Sequence, residues 1–332
     1  MKSIVTFALF AFASMHASAQ SVSDTPRQTP DAYAKPGERV AIAPGRTLNL
    51  RCSGNGPHTV LLEAGGNADS STWFRVQSLL SSKARVCAYD RAGYGFSDEG
   101  PLPRDLDADV ADLAALVEAA KLKTPLVLAG HSLGSNIVRR YAQAHPSNVS
   151  AMVLVDPAEQ GADALLPDAW KRKDEAGRAQ RKAFLDACLK AAEAGTLDKA
   201  EGPLASCLRA PPPWQSAPVA AATRAYKLKP TYWRTLRSEL EANAAIFAAS
   251  VPADETHGDT PVVVLVASSD VPGVPDDVRQ AMQHARAQTQ ERLVASSRQG
   301  RRVDVPNASH DLQLDAPQVV ADTVIGALEP RR

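Results

Sequence analysis

Ser132 lies in Gly130-His131-Ser132-Leu133-Gly134, a G-x-S-x-G pentapeptide. An apolar run, PLVLA at 125–129, precedes it, and a segment with Ile137, Val138 and Tyr141 at helical spacing follows. A serine on a sharp strand-to-helix turn has its hydroxyl lifted clear of the sheet, and glycines on either side permit the strained backbone that does so. Five residues alone would describe many Gly-rich turns; the strand before and the helix after give the pattern its weight. A hydroxyl is not a nucleophile at neutral pH. It needs a base, and the base needs a carboxylate to hold its tautomer.

Seven histidines are available. His16 falls in the first twenty residues, His58 in an early turn, and His131 beside Ser132 but pointing elsewhere at such an elbow. His145 ends a helix, His257 sits in a polar loop, and His284 lies mid-helix among Arg and Gln. His310 differs, because it occupies a loop between a short strand at 302–305 and a closing helix begun by Pro317. From there a base can swing over the carboxyl edge of a sheet. Two acids stand at strand ends: Asp270, past the run at 262–267, and Asp156, directly after Val153-Leu154-Val155.

The elements that must position these groups are readable. Residues 46–52 and 59–62 are predicted strands across a turn cluster containing Asn-Gly, and 84–89 a third, followed by Gly93 and Gly95. Leu106, Val110, Leu113 and Val117 fall at helical spacing with Asp between them, an amphipathic helix. PLVLA (125–129), SAMVLV (150–155) and PVVVLV (261–266) are continuous apolar runs, the pattern of parallel strands covered on both faces. With helices between them they predict an α/β fold with a mostly parallel sheet flanked by helices. The pattern breaks over 161–260, rich in Ala, Lys, Arg and Glu, where helices at 178–194 and 230–249 predict a helical insertion into a core of 38–160 and 261–332.

The 332 residues, 44% hydrophobic and 22% charged, have a globular composition. Lys plus Arg equals Asp plus Glu at 37 each, with no basic run able to track a phosphate backbone, so nucleic acid is not an expected partner. The N-terminal MKSIVTFALFAFASMHASAQ has a Lys, an apolar stretch and small residues at 17 and 19, which predicts a cleavable secretory signal over 1–19. The apolar stretch is shorter than the about 20 residues a bilayer span needs, and no other segment reads as a membrane anchor. Residues 20–37, polar and rich in Pro, Ser, Asp and Thr, read as a flexible leader without structure. A secreted or periplasmic location follows, and an oxidising compartment favours disulfides among Cys52, Cys87, Cys188 and Cys207. They form no CxxC and have no His at metal spacing, so zinc is not supported, and three pairings stay open.

Six blocks in order, VLLEAGGNADSSTW (60–73), YDRAGYGFSD (89–98), LAGHSLGS (128–135), VLVDPA (153–158), GDTPVVVL (258–265) and SHDLQLDAP (309–317), resemble the α/β-hydrolase superfamily from about residue 48 to 328. The resemblance is to a branch of serine hydrolases whose first turn carries Glu in place of the common His-Gly. It implies the α/β-hydrolase fold with 161–260 as a cap, Ser132 as nucleophile and His310 as base. It also implies an oxyanion hole from the backbone N–H groups of Leu133 and Gly65, with Gly66 beside it. The chain order Ser132, Asp270, His310 matches the superfamily's, which favours Asp270 as the acid; Asp156 holds the position some members use instead. Glu63 is expected to stabilise the turn, since an acid beside a developing oxyanion would oppose catalysis. Asp90 and Arg91 are expected to form an internal ion pair. Trp170, Trp214, Tyr232 and Trp233 are expected in the cap, as its core or as the lining of an acyl pocket. In the implied strand order the strand ending at Cys52 neighbours that of Cys87, so Cys52–Cys87 is the expected bridge, with Cys188–Cys207 inside the cap.

The implied activity is a secreted serine hydrolase acting on small-molecule carboxylic esters through an acyl-enzyme, without a cofactor. An aminopeptidase or amidase with the same triad is the alternative, favoured by an acidic cap pocket. A non-catalytic binding protein on the same scaffold is the third reading.

Overall fold

The computed structural model describes residues 25–268 and 273–329. The expected signal, 1–19, and Asp270 lie outside the described residues. Among the described residues the strands are β1 (Glu38–Ala43), β2 (Arg46–Ser53), β3 (Thr59–Glu63), β4 (Arg85–Tyr89), β5 (Leu126–His131), β6 (Val149–Val155), β7 (Val262–Ala267) and β8 (Gly300–Val305). They form one sheet in the order β1-β2-β4-β3-β5-β6-β7-β8. β1 and β2 make an antiparallel hairpin and β2 runs antiparallel to β4; every later pair is parallel.

The apolar runs are continuous because alternate side chains enter different cores. Leu61, Leu128, Leu154 and Val264 face one side, packing with Leu113 of α2 (Leu106–Ala119) and Ile137 of α3 (Leu133–Ala144). Val60, Val127, Val153 and Val263 face the other, packing with Val76 of the short Phe74–Leu80 helix, α1, and Val324 of the C-terminal Pro317–Leu328 helix. A sheet sandwiched in this way is held by apolar burial on both faces.

Between β6 and β7 the chain inserts α4 (Ala162–Leu165), α5 (Asp168–Glu193), α6 (Ala217–Lys227) and α7 (Pro230–Ala248). They have a small core of their own, with Leu185, Leu189, Tyr232, Trp233 and Leu236. Tyr232 and Trp233 are therefore mainly core; Trp214 stacks on Phe74 at 6.2 Å between ring centres. Cys52 and Cys87 are direct cross-strand partners of β2 and β4 and form one disulfide; Cys188–Cys207 ties α5 to the 3-10 segment Gly202–Leu208. Both expected bridges form. Part of the expected leader is ordered: Thr29 donates through its main-chain N–H to the Trp214 carbonyl at 2.9 Å, and the Tyr33 hydroxyl reaches Gln77 at 2.8 Å. After β7 come α8 (Asp276–Ala295), then β8, α9 (Leu312–Asp315) and α10, the Pro317–Leu328 helix.

Candidate active site

β5 runs directly through Ser132 into α3, and Ser132 has φ 51° and ψ −119°, a conformation a non-glycine residue holds only under constraint. The constraint is visible. The Ser132 N–H donates to the Val155 carbonyl at 3.1 Å, and its own carbonyl accepts from Ser135 N–H at 3.0 Å. A Cβ at Gly130 would stand 2.4 Å from the Gly134 oxygen, and one at Gly134 would stand 2.7 Å from the carbonyl oxygens of Glu63 and Ala64. The two glycines thus let the elbow close on itself and against the turn after β3. Ser132 is left half-buried at the carboxyl edge of the sheet.

His310, on the loop after β8, presents Nδ1 to Asp156 Oδ2 at 2.6 Å, and its side chain is half-exposed. A carboxylate accepts, so Nδ1 carries the proton and the Nε2 lone pair is free to act as base. Asp156 is buried directly after β6. Its N–H donates to Leu265 O at 2.9 Å, and Oδ1 accepts from Ala267 N–H at 2.9 Å and from Arg286 at 2.7 Å. The carboxylate His310 holds is thus the less favoured of the two acids, because adjacent parallel strands β6 and β7 deliver their carboxyl ends to one place and Asp156 is pinned there by β7 itself. His131 supports the same loop: its Nε2 donates to the His310 carbonyl at 2.9 Å, with ring centres 4.7 Å apart. Burial and the neighbouring His310 hold its pKa down at about 4, so it stays neutral.

The turn after β3 is clamped from below by Arg91. Its guanidinium donates to the carbonyls of Ala64 and Gly65, at 2.7 Å each, and to Glu63 and Glu239, at 2.9 Å each. In a trans peptide the N–H points opposite to the carbonyl it is bonded to. Drawing the carbonyls of Ala64 and Gly65 toward Arg91 therefore turns the N–H groups of Gly65 and Gly66 to the opposite side. Gly65 is buried against Ser132, where a Cβ would lie 3.4 Å from that of Ser132 and 2.8 Å from His131 Nδ1. Leu133 opens α3, so its N–H has no partner within the helix.

Glu63 accepts from Arg91 and from the Tyr89 hydroxyl, so its carboxylate is committed within the turn's support. Burial pushes it up to about 7 against the pull of Arg91. Arg91 is not paired with Asp90, contrary to expectation: Asp90 accepts from Asn49, Ser70 N–H and Phe96 N–H instead. Glu239, on α7 of the insertion, was not singled out by sequence. It accepts from Asn67 N–H at 2.9 Å and the Tyr94 hydroxyl at 2.9 Å. Its sequence position gives no sign of this, since its partners lie more than 140 residues away.

Residues 59–323 match the family model described as alpha/beta hydrolase family. A non-heme chloroperoxidase of Streptomyces lividans is 46% identical over 77 residues, 23% of this chain and 28% of that protein. Lipase LipV of Mycobacterium tuberculosis is 36% identical over 104 residues, 31% of this chain and 39% of that one. An uncharacterized protein of Bacillus subtilis, YqjL, is 34% identical over 30% of this chain and 40% of its own length, so such matches span well under half of these relatives. Among solved structures, a thermophilic esterase from Thermogutta terrifontis superposes with TM-score 0.54 at 20% identity over 89% of this chain and 98% of its own. A meta-cleavage product hydrolase from Pseudomonas fluorescens does so with TM-score 0.59 at 15% identity over 88% and 97%. With sheet order, elbow and family match in agreement, the chain belongs to the alpha/beta hydrolase family.

Proposed function

We propose that this hydrolase is a secreted serine esterase that cleaves carboxylic esters through an acyl-enzyme, with Ser132, His310 and Asp156 as its triad. The observation that carries the reading is the 2.6 Å bond from His310 Nδ1 to buried Asp156 beside a serine held at φ 51°. In this reading Asp156 takes the role expected of Asp270, which lies outside the described residues. Ser132 Oγ attacks the ester carbonyl while His310 Nε2 takes its proton, and Asp156 offsets the imidazolium charge without itself being protonated. The N–H groups of Leu133 and of Gly65, with Gly66 beside it, hold the tetrahedral oxyanion. His310 then gives the proton to the departing alkoxide, and water repeats the sequence to release the acid.

Epoxide-opening and dehalogenating chemistry in this fold uses a carboxylate nucleophile at the elbow, and here that residue is Ser132. An aminopeptidase needs a carboxylate to hold the free amino terminus, whereas the cleft between turn and insertion carries Arg209, Arg224 and Lys227 against Asp69. The N-terminal leader sequence and the two disulfides support export. Labelling by a fluorophosphonate probe, together with turnover of nitrophenyl esters set against aminoacyl anilides, tests the reading. Ser132→Ala is expected to abolish labelling and lower ester kcat by roughly 10⁴-fold or more with melting temperature preserved. Anilides turned over faster than esters, or labelling that survives in Ser132→Ala, would overturn it.

A further inference from the structure

We propose that the cleft between residues 67–72 and the insertion is an anion-binding subsite, and that the ester cleaved here carries a carboxylate that docks in it. The proposal rests on the esterase reading and adds the class of substrate.

The cleft has a volume of about 360 Å³, with Asn67 and Asp69 on the core side and Arg209, Trp214, Arg224 and Lys227 on the other. Three cations face one carboxylate, and that carboxylate is already committed. Asp69 accepts from Ser71 N–H at 2.9 Å, from the Ser71 hydroxyl, and from the Tyr226 hydroxyl at 2.9 Å. Among the described residues Arg224 reaches a main-chain acceptor, the Asp198 carbonyl at 3.2 Å, and no carboxylate within ion-pair distance. Arg209 and Lys227 have no carboxylate within ion-pair distance among the described residues; the Lys227 ammonium sits over the Tyr232 ring at 5.5 Å. Burial pushes Lys227 below its ordinary value; the charge of Asp69 acts against burial, and the charge of Arg209, a weaker influence than Asp69, acts with it, so Lys227 feels both groups across the cleft. In a chain whose formal charge is zero, such a local excess is a positive field at the cleft. A bound anion offsets the repulsion, and an Arg with a Lys beside it suits a carboxylate.

The cleft begins at Asn67, two residues beyond the Gly65 that packs against Ser132. The Tyr232 hydroxyl bonds Asn67 Oδ1 at 2.6 Å, and Asn67 follows directly on Gly65-Gly66, the turn that packs against Ser132. Trp214 and the neighbouring prolines give the cleft an apolar side for a short methylene chain. An ester carbonyl at Ser132 and a carboxylate a few carbons away fit that combination.

The test compares the p-nitrophenyl hemiester of glutarate with p-nitrophenyl valerate, its uncharged counterpart, on the full chain. The wild type is expected to favour the hemiester in kcat/KM by about tenfold or more, through KM, with the advantage shrinking at high salt. The ratio is expected to fall about tenfold in Arg209→Gln/Lys227→Gln and to recover in part in Arg209→Lys. A wild-type ratio of one or less, or a ratio unchanged in the double variant, sinks the proposal. Glutarate binding to Ser132→Ala, followed by calorimetry with inorganic phosphate as the competing anion, separates the two readings. Glutarate binding that depends on Arg209, with no ester turned over by the wild type, would keep the subsite and discard the esterase. Ester turnover with no glutarate binding would discard the subsite alone, as would phosphate binding in its place.

Discussion

Replacing Asp156 with Asn keeps the size of the side chain and removes the charge that fixes the His310 tautomer, so its cost falls on turnover. Asp156→Asn is expected to lower kcat by roughly 10³- to 10⁴-fold with little change in KM, and Asp270→Asn by less than about tenfold. Steady-state kinetics on both variants at matched melting temperature decide the point, and a larger loss at 270 would return the role to Asp270. The elbow conformation of Ser132 was readable from sequence because its signal is local: glycines at two residues on either side, a strand before and a helix after, all needed by one backbone conformation. The acid was not. Asp156 and Asp270 both follow apolar strands, and only the side-by-side pairing of β6 with β7 shows that Asp156 is bonded to Ala267 N–H and faces the loop of His310.

At the scale of elements, the insertion helices hold the turn that faces Ser132. Glu239 of α7 bonds both Arg91 and Asn67 N–H, and Thr235 of the same helix packs so closely on Gly93 that a Cβ there would lie 2.0 Å from its hydroxyl. Gly93 has φ 83°, so glycine is required there for conformation as well as space. Glu239→Gln keeps an acceptor for Asn67 but removes the charge that holds the Arg91 guanidinium in place. We expect kcat to fall about tenfold while KM stays within about twofold, with Glu239→Asp recovering part of the loss. A lowered melting temperature with unchanged kcat would make Glu239 a structural residue only. Arg91 itself is a poorer probe, since removing it strands two buried carboxylates at a cost of several kcal/mol. The strands β2 to β8 and the insertion helices α5 and α7 were legible because hydrophobic period reports burial one element at a time, as in the runs of β5, β6 and β7, whereas β1, α4 and α6 were not read from sequence. Contacts between elements leave no such period. The docking of Thr29 on Trp214 and the reach of Glu239 to Asn67 were invisible for that reason.

Over the whole molecule, the turn, the insertion and the first hairpin share one buried ionic network, and its charges do not balance. Glu63, Asp109, Asp112 and Glu239 face Arg46, Arg91 and Arg104, leaving one carboxylate in excess. Burial raises Glu63 to about 7 and Asp109 to about 6, both above ordinary carboxylates, so the network retains the missing charge as a proton that the unfolded chain would release. The native state then binds more protons than the unfolded state between about pH 4.5 and 7. A pKa raised on folding contributes stability that is complete below the unfolded value and is lost as pH rises through the folded one, at about 1.4 kcal/mol per pH unit for one proton. His131 acts in the opposite sense: with its pKa lowered to about 4, its contribution is present above pH 6.5 and lost toward 4. The two partly cancel in the wild-type curve, so the informative quantity is a difference. Glu63→Gln carries the neutral form at every pH and leaves His131 unchanged. Denaturant unfolding of both proteins from pH 5 to 8 is expected to show the wild type losing stability relative to the variant as pH rises. A difference that stays flat, or grows in favour of the wild type, would mean that Glu63 is ionised throughout and that its pairing with Arg91 outweighs its burial.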